Sequence, residues 1–237
     1  MATGFLGRAD GCADGLAASD STIYTGTILI VLSHRGYWKL PSEKNTKLAF
    51  ERSFSMGFGT ETDIRDRHSK LVISHDMADD KAIALEDFFA IYRQYPSNLP
   101  LALNIKADGL QHELHRLLDI YEIDNYFVFD MAVPDGLGYA KYPMHAFTRQ
   151  SEYEVEPSFY SLAQGVWLDE FDGHWLSDDV IERHLQNGKH LCIVSPDLHR
   201  RVYAEEWLHY KQLEQRIGKD RLMLCTDFPE LARGYFQ

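Results

Sequence analysis

The sequence predicts an α/β protein, a single (β/α)8 barrel, and three observations carry that expectation. Short apolar runs alternate with longer amphipathic ones from residue 28 to the end. The apolar runs are continuous, as strands covered on both faces are, and each is followed by a helical stretch, which indicates a parallel sheet. Roughly eight such units follow one another with no linker-like break, which favours one closed barrel over two domains. An open doubly wound sheet uses the same alternation and stands as the other topology.

Each element has its own reason. Residues 28–33, with the run Ile28-Leu29-Ile30-Val31-Leu32, form a buried strand, followed by a helix around 48–56. Residues 58–66 and 71–74 are strand-like, and 85–95 repeats apolar positions at helical spacing. A strand at 101–106 precedes a helix at 110–118. Residues 126–130 and 145–148 are two short strands. Strands at 166–171, 191–195 and 222–226 complete the set, with helices at 178–186, 204–216 and from Pro229 onward. Residues 1–26 are small and polar, a loose tail ahead of a barrel domain at 27–237.

The chain has 237 residues, with 24 Lys+Arg against 36 Asp+Glu and a net charge of −12. Without basic blocks this balance excludes a nucleic-acid groove, which neutralises phosphates with Lys and Arg. It does not exclude a phosphate site, since one arginine or one metal inverts the field locally. The 3 cysteines, Cys12, Cys192 and Cys225, are widely spaced with no CxxC pair. That disfavours a disulfide framework and a thiolate zinc site and suits a reducing compartment. No apolar run is long enough to span a membrane, and the tail lacks the apolar core of a secretory signal. The expectation is a cytoplasmic protein without membrane insertion; no pattern reports an oligomeric interface.

In a barrel, chemistry sits where strands end and loops begin. Glu61 and Asp63 lie two apart on a strand and so share a face. Two carboxylates in a confined space need a cation between them, or one takes up a proton. A hard divalent ion, Mg²⁺ or Ca²⁺, is the matching partner; taken alone, the pair reads more readily as a solvated edge. His34 and His75 each follow an apolar strand at its carboxyl end. Imidazole carries protons near neutral pH, and two of them flanking a phosphorus suit the base and acid of one displacement. Arg35 offers a bidentate fork for phosphate oxygens. These placements favour a phosphoryl site.

The run His34-Arg35-Gly36, then Pro41, Asn45-Thr46 and Ala49-Phe50, then Glu61-Thr62-Asp63, His75-Asp76, Leu103-Asn104-Ile105-Lys106 and Thr226-Asp227-Phe228-Pro229 resembles the glycerophosphodiester phosphodiesterase family. More distantly it resembles the wider group of barrel phosphodiesterases and phospholipases. The resemblance covers nearly everything after the tail. It implies a hydrolase of lipid metabolism acting on a small phosphodiester, with a (β/α)8 barrel and one divalent ion. By position His34 and His75 would be the acid–base pair, Glu61, Asp63 and Asn104 the metal ligands, and Arg35 and Lys106 the phosphate contacts. The products would be an alcohol and a phosphomonoester or a cyclic phosphate.

The chain departs from the family in three places. Asn104 stands where the family usually has Glu, which removes one negative charge from the site; Asp130 or Glu152 are the candidates to compensate. The loop 41–46 interrupts the family's pattern and reshapes the mouth beside His34, with Tyr37 and Trp38 as its lining. Ser69-Lys70 replaces the usual glycine before the His75 strand. The departures raise the alternative of a decayed barrel that binds a phosphorylated ligand without turnover. Elsewhere, His112-Glu113-Leu114-His115 does not match a zinc helix. His199-Arg200-Arg201 reads as an exposed basic turn, Glu152, Glu154 and Glu156 as a solvated loop, and Trp167 as core.

Overall fold

The computed structural model describes residues 29–95, 98–139, 141–217 and 221–236; the tail and Cys12 lie outside them. Eight parallel strands close a barrel. They are β1 (Ile30–His34), β2 (Gly59–Arg67), β5 (Leu101–Ile105), β6 (Tyr126–Phe129), β7 (Phe147–Gln150), β8 (Gly165–Leu168), β9 (His190–Val194) and β10 (Leu222–Thr226). Neighbours pair in the order β1-β2-β5-β6 on one side and β1-β10-β9-β8-β7 on the other. The seam between β6 and β7 is shut by a parallel bridge from Val128 to Ala146, where the Val128 N–H donates to the His145 carbonyl at 2.8 Å. The closed barrel, not the open sheet, is the topology.

Two strands stand outside it. β3 (Lys70–Ile73) and β4 (Ile83–Ala84) form an antiparallel excursion on β2. The stretch 71–74 is therefore no barrel unit but the return arm of a hairpin. Its turn falls at His68 and Ser69, both left-handed (φ 48° and 61°), a conformation the absent glycine would enter without cost.

Seven helices, α1 (Lys47–Ser55), α2 (Leu85–Tyr92), α3 (Gln111–Ile120), α4 (Val133–Tyr139), α5 (Asp178–Gln186), α6 (Ala204–Ile217) and α7 (Pro229–Phe236), are described. The sequence pattern missed α4, whose stretch carries Pro134 and two glycines, weak helix formers. Strand β8 ends at Leu168 rather than at 171, and residues 169–171 belong to the loop.

Between strands and helices lie two apolar clusters, one around Phe50, Phe88 and Leu103, the other around Val166, Trp207 and Leu224. Inside the barrel lies a third: Leu32, Phe127, Phe129, Trp167, Cys192 and Cys225 are among its members. Phe127 stacks on Phe147 and Phe129 on Trp167, each pair with ring centroids 3.9 Å apart. Trp167 is core, as expected. This packed interior forms the floor on which the polar residues of the strand ends rest.

Candidate active site

The interior positions continue upward from that floor at alternate residues: Leu32 to His34, Ala102 to Asn104, Phe147 to Arg149, Trp167 to Asp169. The sheet register then brings His34 beside Glu61 and Asp63 beside Asn104. A polar cluster at the C-terminal mouth follows from strand periodicity alone.

His34 is held by Asp227, which follows β10: Nδ1 lies 2.7 Å from Oδ1. The Asp227 carboxylate also meets Lys44 at 3.3 Å, and its backbone N–H donates to Asp197 at 2.8 Å. With Nδ1 committed, the His34 Nε2 faces the carboxylates, 4.0 Å from Glu61 Oε2. Burial lowers the His34 pKa; the hydrogen bond and charge of Asp227 oppose this, while Arg35 and Lys44 reinforce it. Burial thus favours the neutral ring, and the bond from Nδ1 to Asp227 leaves the Nε2 lone pair free.

Arg35 and Gly36 have left-handed backbones, φ 59° and 80°. A Cβ on Gly36 would lie 2.8 Å from that of Ala49. This turn sends the Arg35 side chain back over the mouth, where Nε lies 3.1 Å from Asp63 Oδ2. Asn45, from the interrupted loop, donates to the same oxygen at 2.8 Å and accepts from Thr62. Lys106 bridges Asp63 (3.6 Å) and Asp130 (3.4 Å).

Glu61, Asp63 and Asn104 are buried. Burial, and then the charge of Asp63, push the Glu61 carboxyl up to about 8. Asp63 Oδ1 and Asn104 Oδ1 are buried with no hydrogen-bond donor, the Lys106 ammonium standing 3.6 Å from the first and no cation among the described residues paired with the second. Such oxygens are costly unless something positive meets them. Two carboxylates and an amide oxygen are a hard donor set, so these residues fit a divalent cation of the Mg²⁺ or Ca²⁺ type. The described residues hold no group of three or more His, Cys, Asp or Glu side chains suited to a metal; here the third oxygen comes from an amide.

His75 is placed at the same mouth by its strand, since the Ser74 N–H donates to the Asp63 carbonyl at 3.0 Å. Its ring is 44% exposed and bonds Asp76, not the residues around His34. Six of the seven anticipated residues thus form one contact network, and His75 stands at its edge.

Other expectations need correcting. Tyr37 does not line the mouth: it is buried, edge-on to Phe58, with its hydroxyl on Glu230. Trp38 does approach, its indole N–H donating to the His34 carbonyl at 3.1 Å. Asp130 does not compensate for Asn104, because Lys106 and Arg149 occupy it. Glu152 accepts the backbone N–H groups of Phe171, Asp172 and Gly173, and Glu154 pairs with Arg149. Glu152 pins two loops together and Glu154 is held by Arg149, so these two are not solvated; Glu156 is exposed, as expected. The turn at 199–201 is likewise engaged: His199 pairs with Asp169 at 2.6 Å, and Arg201 donates to the Glu170 carbonyl and to Glu206.

Sequence reasoning quoted Asn45 and Asp227 in the motif without giving either a role, and missed Arg149 and Asp169 as parts of the mouth. For Arg149 and Asp169 a signal existed, since each is two residues beyond an interior aromatic, Phe147 and Trp167. A cavity of about 830 Å³ opens at the opposite, N-terminal end, lined by Leu29, Phe58, Phe127 and Phe147 among others. It contains none of these residues, and barrel chemistry belongs to the other end.

Among solved structures, a protein of Galdieria sulphuraria assigned as a glycerophosphodiester phosphodiesterase superposes with a TM-score of 0.73 at 16% identity, covering 90% of this chain and 99% of that one. The fold is that of the glycerophosphodiester phosphodiesterases. The enzyme of that name from Agrobacterium tumefaciens gives 0.66 at 14% identity, over 88% of this chain and 99% of its own. A phosphodiesterase of Oleispira antarctica, in complex with the product sn-glycerol-3-phosphate, gives 0.58 at 14%, over 87% and 96%. No protein-family model and no curated protein matches the chain. Among the described residues no helix is long and apolar enough to cross a membrane.

Proposed function

We propose that the chain is a metal-dependent phosphodiester hydrolase acting on a glycerophosphodiester-like substrate, the activity named for the enzymes whose fold it shares. The observation that carries this is the His34 imidazole, fixed by Asp227, with its free Nε2 turned toward the buried Glu61–Asp63 pair. A neutral imidazole held in one tautomer beside a cation-binding carboxylate pair is built to deprotonate a hydroxyl near a phosphorus.

A divalent cation on Glu61, Asp63 and Asn104 would supply charge neutralisation at a non-bridging phosphate oxygen. Arg35 and Lys106, each already at Asp63, hold the remaining phosphate oxygens by charge-assisted hydrogen bonds. His34 Nε2 takes the proton of the attacking hydroxyl as its oxygen bonds to phosphorus. The bond from phosphorus to the leaving alcohol breaks, and His75, whose Nδ1 is on Asp76, gives that alcohol a proton. Attack by water yields a phosphomonoester; attack by a hydroxyl of the substrate yields a cyclic phosphate.

The test is turnover of glycerophosphocholine and an aryl phosphodiester with Mg²⁺, with Ca²⁺ and with chelator, products read by ³¹P NMR. Chelator-sensitive turnover lost in His34→Ala supports the reading. No turnover with either metal, with activity gained in Asn104→Glu, replaces it with the decayed binding barrel.

A further inference from the structure

Apart from the mouth, two histidines stand in an arrangement that phosphodiester chemistry does not use. His174 is on the loop between β8 and α5, and His209 is on α6. Their rings meet with centroids 5.2 Å apart and planes at 82°. Each ring has one nitrogen committed to a carboxylate. His174 Nδ1 lies 2.8 Å from Glu170 Oε1, and His209 Nε2 lies 2.6 Å from Asp178 Oδ1.

The two carboxylates are themselves fixed. Glu170 is fully buried and accepts the backbone N–H groups of Trp175 and Leu176, each at 2.9 Å, and the Tyr210 hydroxyl at 2.7 Å. Asp178 also pairs with Arg216. In the neutral rings the hydrogen therefore belongs on the committed nitrogen, which leaves lone pairs on His174 Nε2 and His209 Nδ1. His209 Nδ1 is buried and has no hydrogen-bond partner. Such an atom is costly unless something meets it.

An imidazole that binds a metal characteristically donates its other N–H to a carboxylate, which fixes the tautomer and makes the ligating nitrogen more basic. Both rings meet that condition. Bonds of about 2.0–2.1 Å from two ring nitrogens to one tetrahedral ion place the ring centres about 5 Å apart, and these two already have that spacing. Nitrogen donors suit zinc and its neighbours among the divalent transition metals, not the Mg²⁺ or Ca²⁺ that suits the oxygen donors of the mouth.

We propose that His174 Nε2 and His209 Nδ1 bind one zinc ion, with Glu170 and Asp178 as the carboxylates that orient the rings. Two protein ligands make this an open site, whose other positions take water. The ion joins α6 to the loop after β8, the loop whose first residues, Asp169 and Glu170, hold His199 and Tyr210. The site stands independently of the phosphodiesterase reading.

The experiment titrates zinc into the full chain carrying Asp63→Asn, which disables the carboxylate site at the mouth, by calorimetry near neutral pH. Expected is one equivalent of zinc, lost when His174→Ala or His209→Ala is added. Asp178→Asn keeps both ligands and weakens binding by about 10- to 100-fold, the usual effect of removing an orienting carboxylate. Imidazole ¹⁵N NMR of the zinc-loaded protein needs no histidine variant: it shows one ring metallated at Nε2 and another at Nδ1. No zinc binding, binding that survives either histidine substitution, or two rings metallated at the same kind of nitrogen overturns the proposal.

Discussion

His34 and Asp227, 193 positions apart in sequence, meet across the seam where β1 pairs with β10, one residue beyond the register partners Ser33 and Thr226. Asp197 accepts the Asp227 backbone N–H and also binds the Thr226 hydroxyl, which anchors the backbone there, while Lys44 meets the carboxylate itself. The carboxylate therefore selects the tautomer in which Nδ1 carries the hydrogen and Nε2 is free, as a second group must wherever imidazole acts as a base.

Replacing Asp227 with Asn keeps the shape and removes the charge. Since that charge raises the His34 pKa against its burial, the acidic limb of the kcat/KM profile moves to lower pH in Asp227→Asn. With the tautomer no longer enforced, kcat falls by about 100-fold or more while KM changes little. A pH–rate profile measures both. An unchanged profile would show that Asp227 serves folding alone.

The metal-binding expectation has a readout independent of turnover. A cation at free concentration c that binds only the folded protein stabilises it by RT ln(1 + c/Kd) and so raises its melting temperature. Mg²⁺ or Ca²⁺ raises Tm in the wild type, chelator reverses this, and Asp63→Asn abolishes it. Asn104→Glu restores a negative charge beside Asp63 and lowers the half-saturating metal concentration by about tenfold. A thermal shift titration decides.

Gly36 links the fold to the site. Its φ of 80° and the 2.8 Å approach of a built Cβ to Ala49 leave no room for a side chain. Gly36→Ala costs about 1–3 kcal/mol of stability and displaces Arg35 from Asp63, so substrate binding weakens with it. Urea unfolding and KM, measured on the same variant, show both effects.

Strand periodicity explains what was legible. Glu61 and Asp63 share a face in any strand, and a continuous apolar run such as that before His34 declares a buried strand with an open end. The mouth's polar ring is then a matter of counting in twos from the interior aromatics. What was not legible came from contacts distant in sequence or from loops. Asp227 matters because β10 closes on β1, and Asn45 matters because a loop folds back onto Asp63. The excursion of β3 read as a barrel strand because antiparallel and parallel strands of that length carry the same apolar pattern. Glu152 and Glu154 read as solvated because the N–H groups and the arginine that bind them come from elsewhere in the chain.

His184 gives a test of the fold apart from the site. It lies on α5, buried, with Nε2 2.7 Å from Gln150 Oε1 and Nδ1 2.8 Å from the Tyr160 hydroxyl. Neutral imidazole satisfies both partners, donating from Nε2 and accepting at Nδ1. Burial, then the charges of Arg183 and Lys189, lower its pKa from 6.5 to about 4. Between those values the unfolded chain takes up a proton that the native one refuses, so stability falls as pH drops from about 6.5 toward 4. The full effect is on the order of 3 kcal/mol at about 1.4 kcal/mol per pKa unit. His184→Gln loses stability at pH 7, where two buried hydrogen bonds are disturbed, yet its decline between pH 7 and pH 4.5 is shallower by roughly 2 kcal/mol. Urea midpoints of both proteins at the two pH values measure the difference. Parallel declines would mean that His184 is charged in the native state, and with two donors it would then face the Tyr160 oxygen as an acceptor.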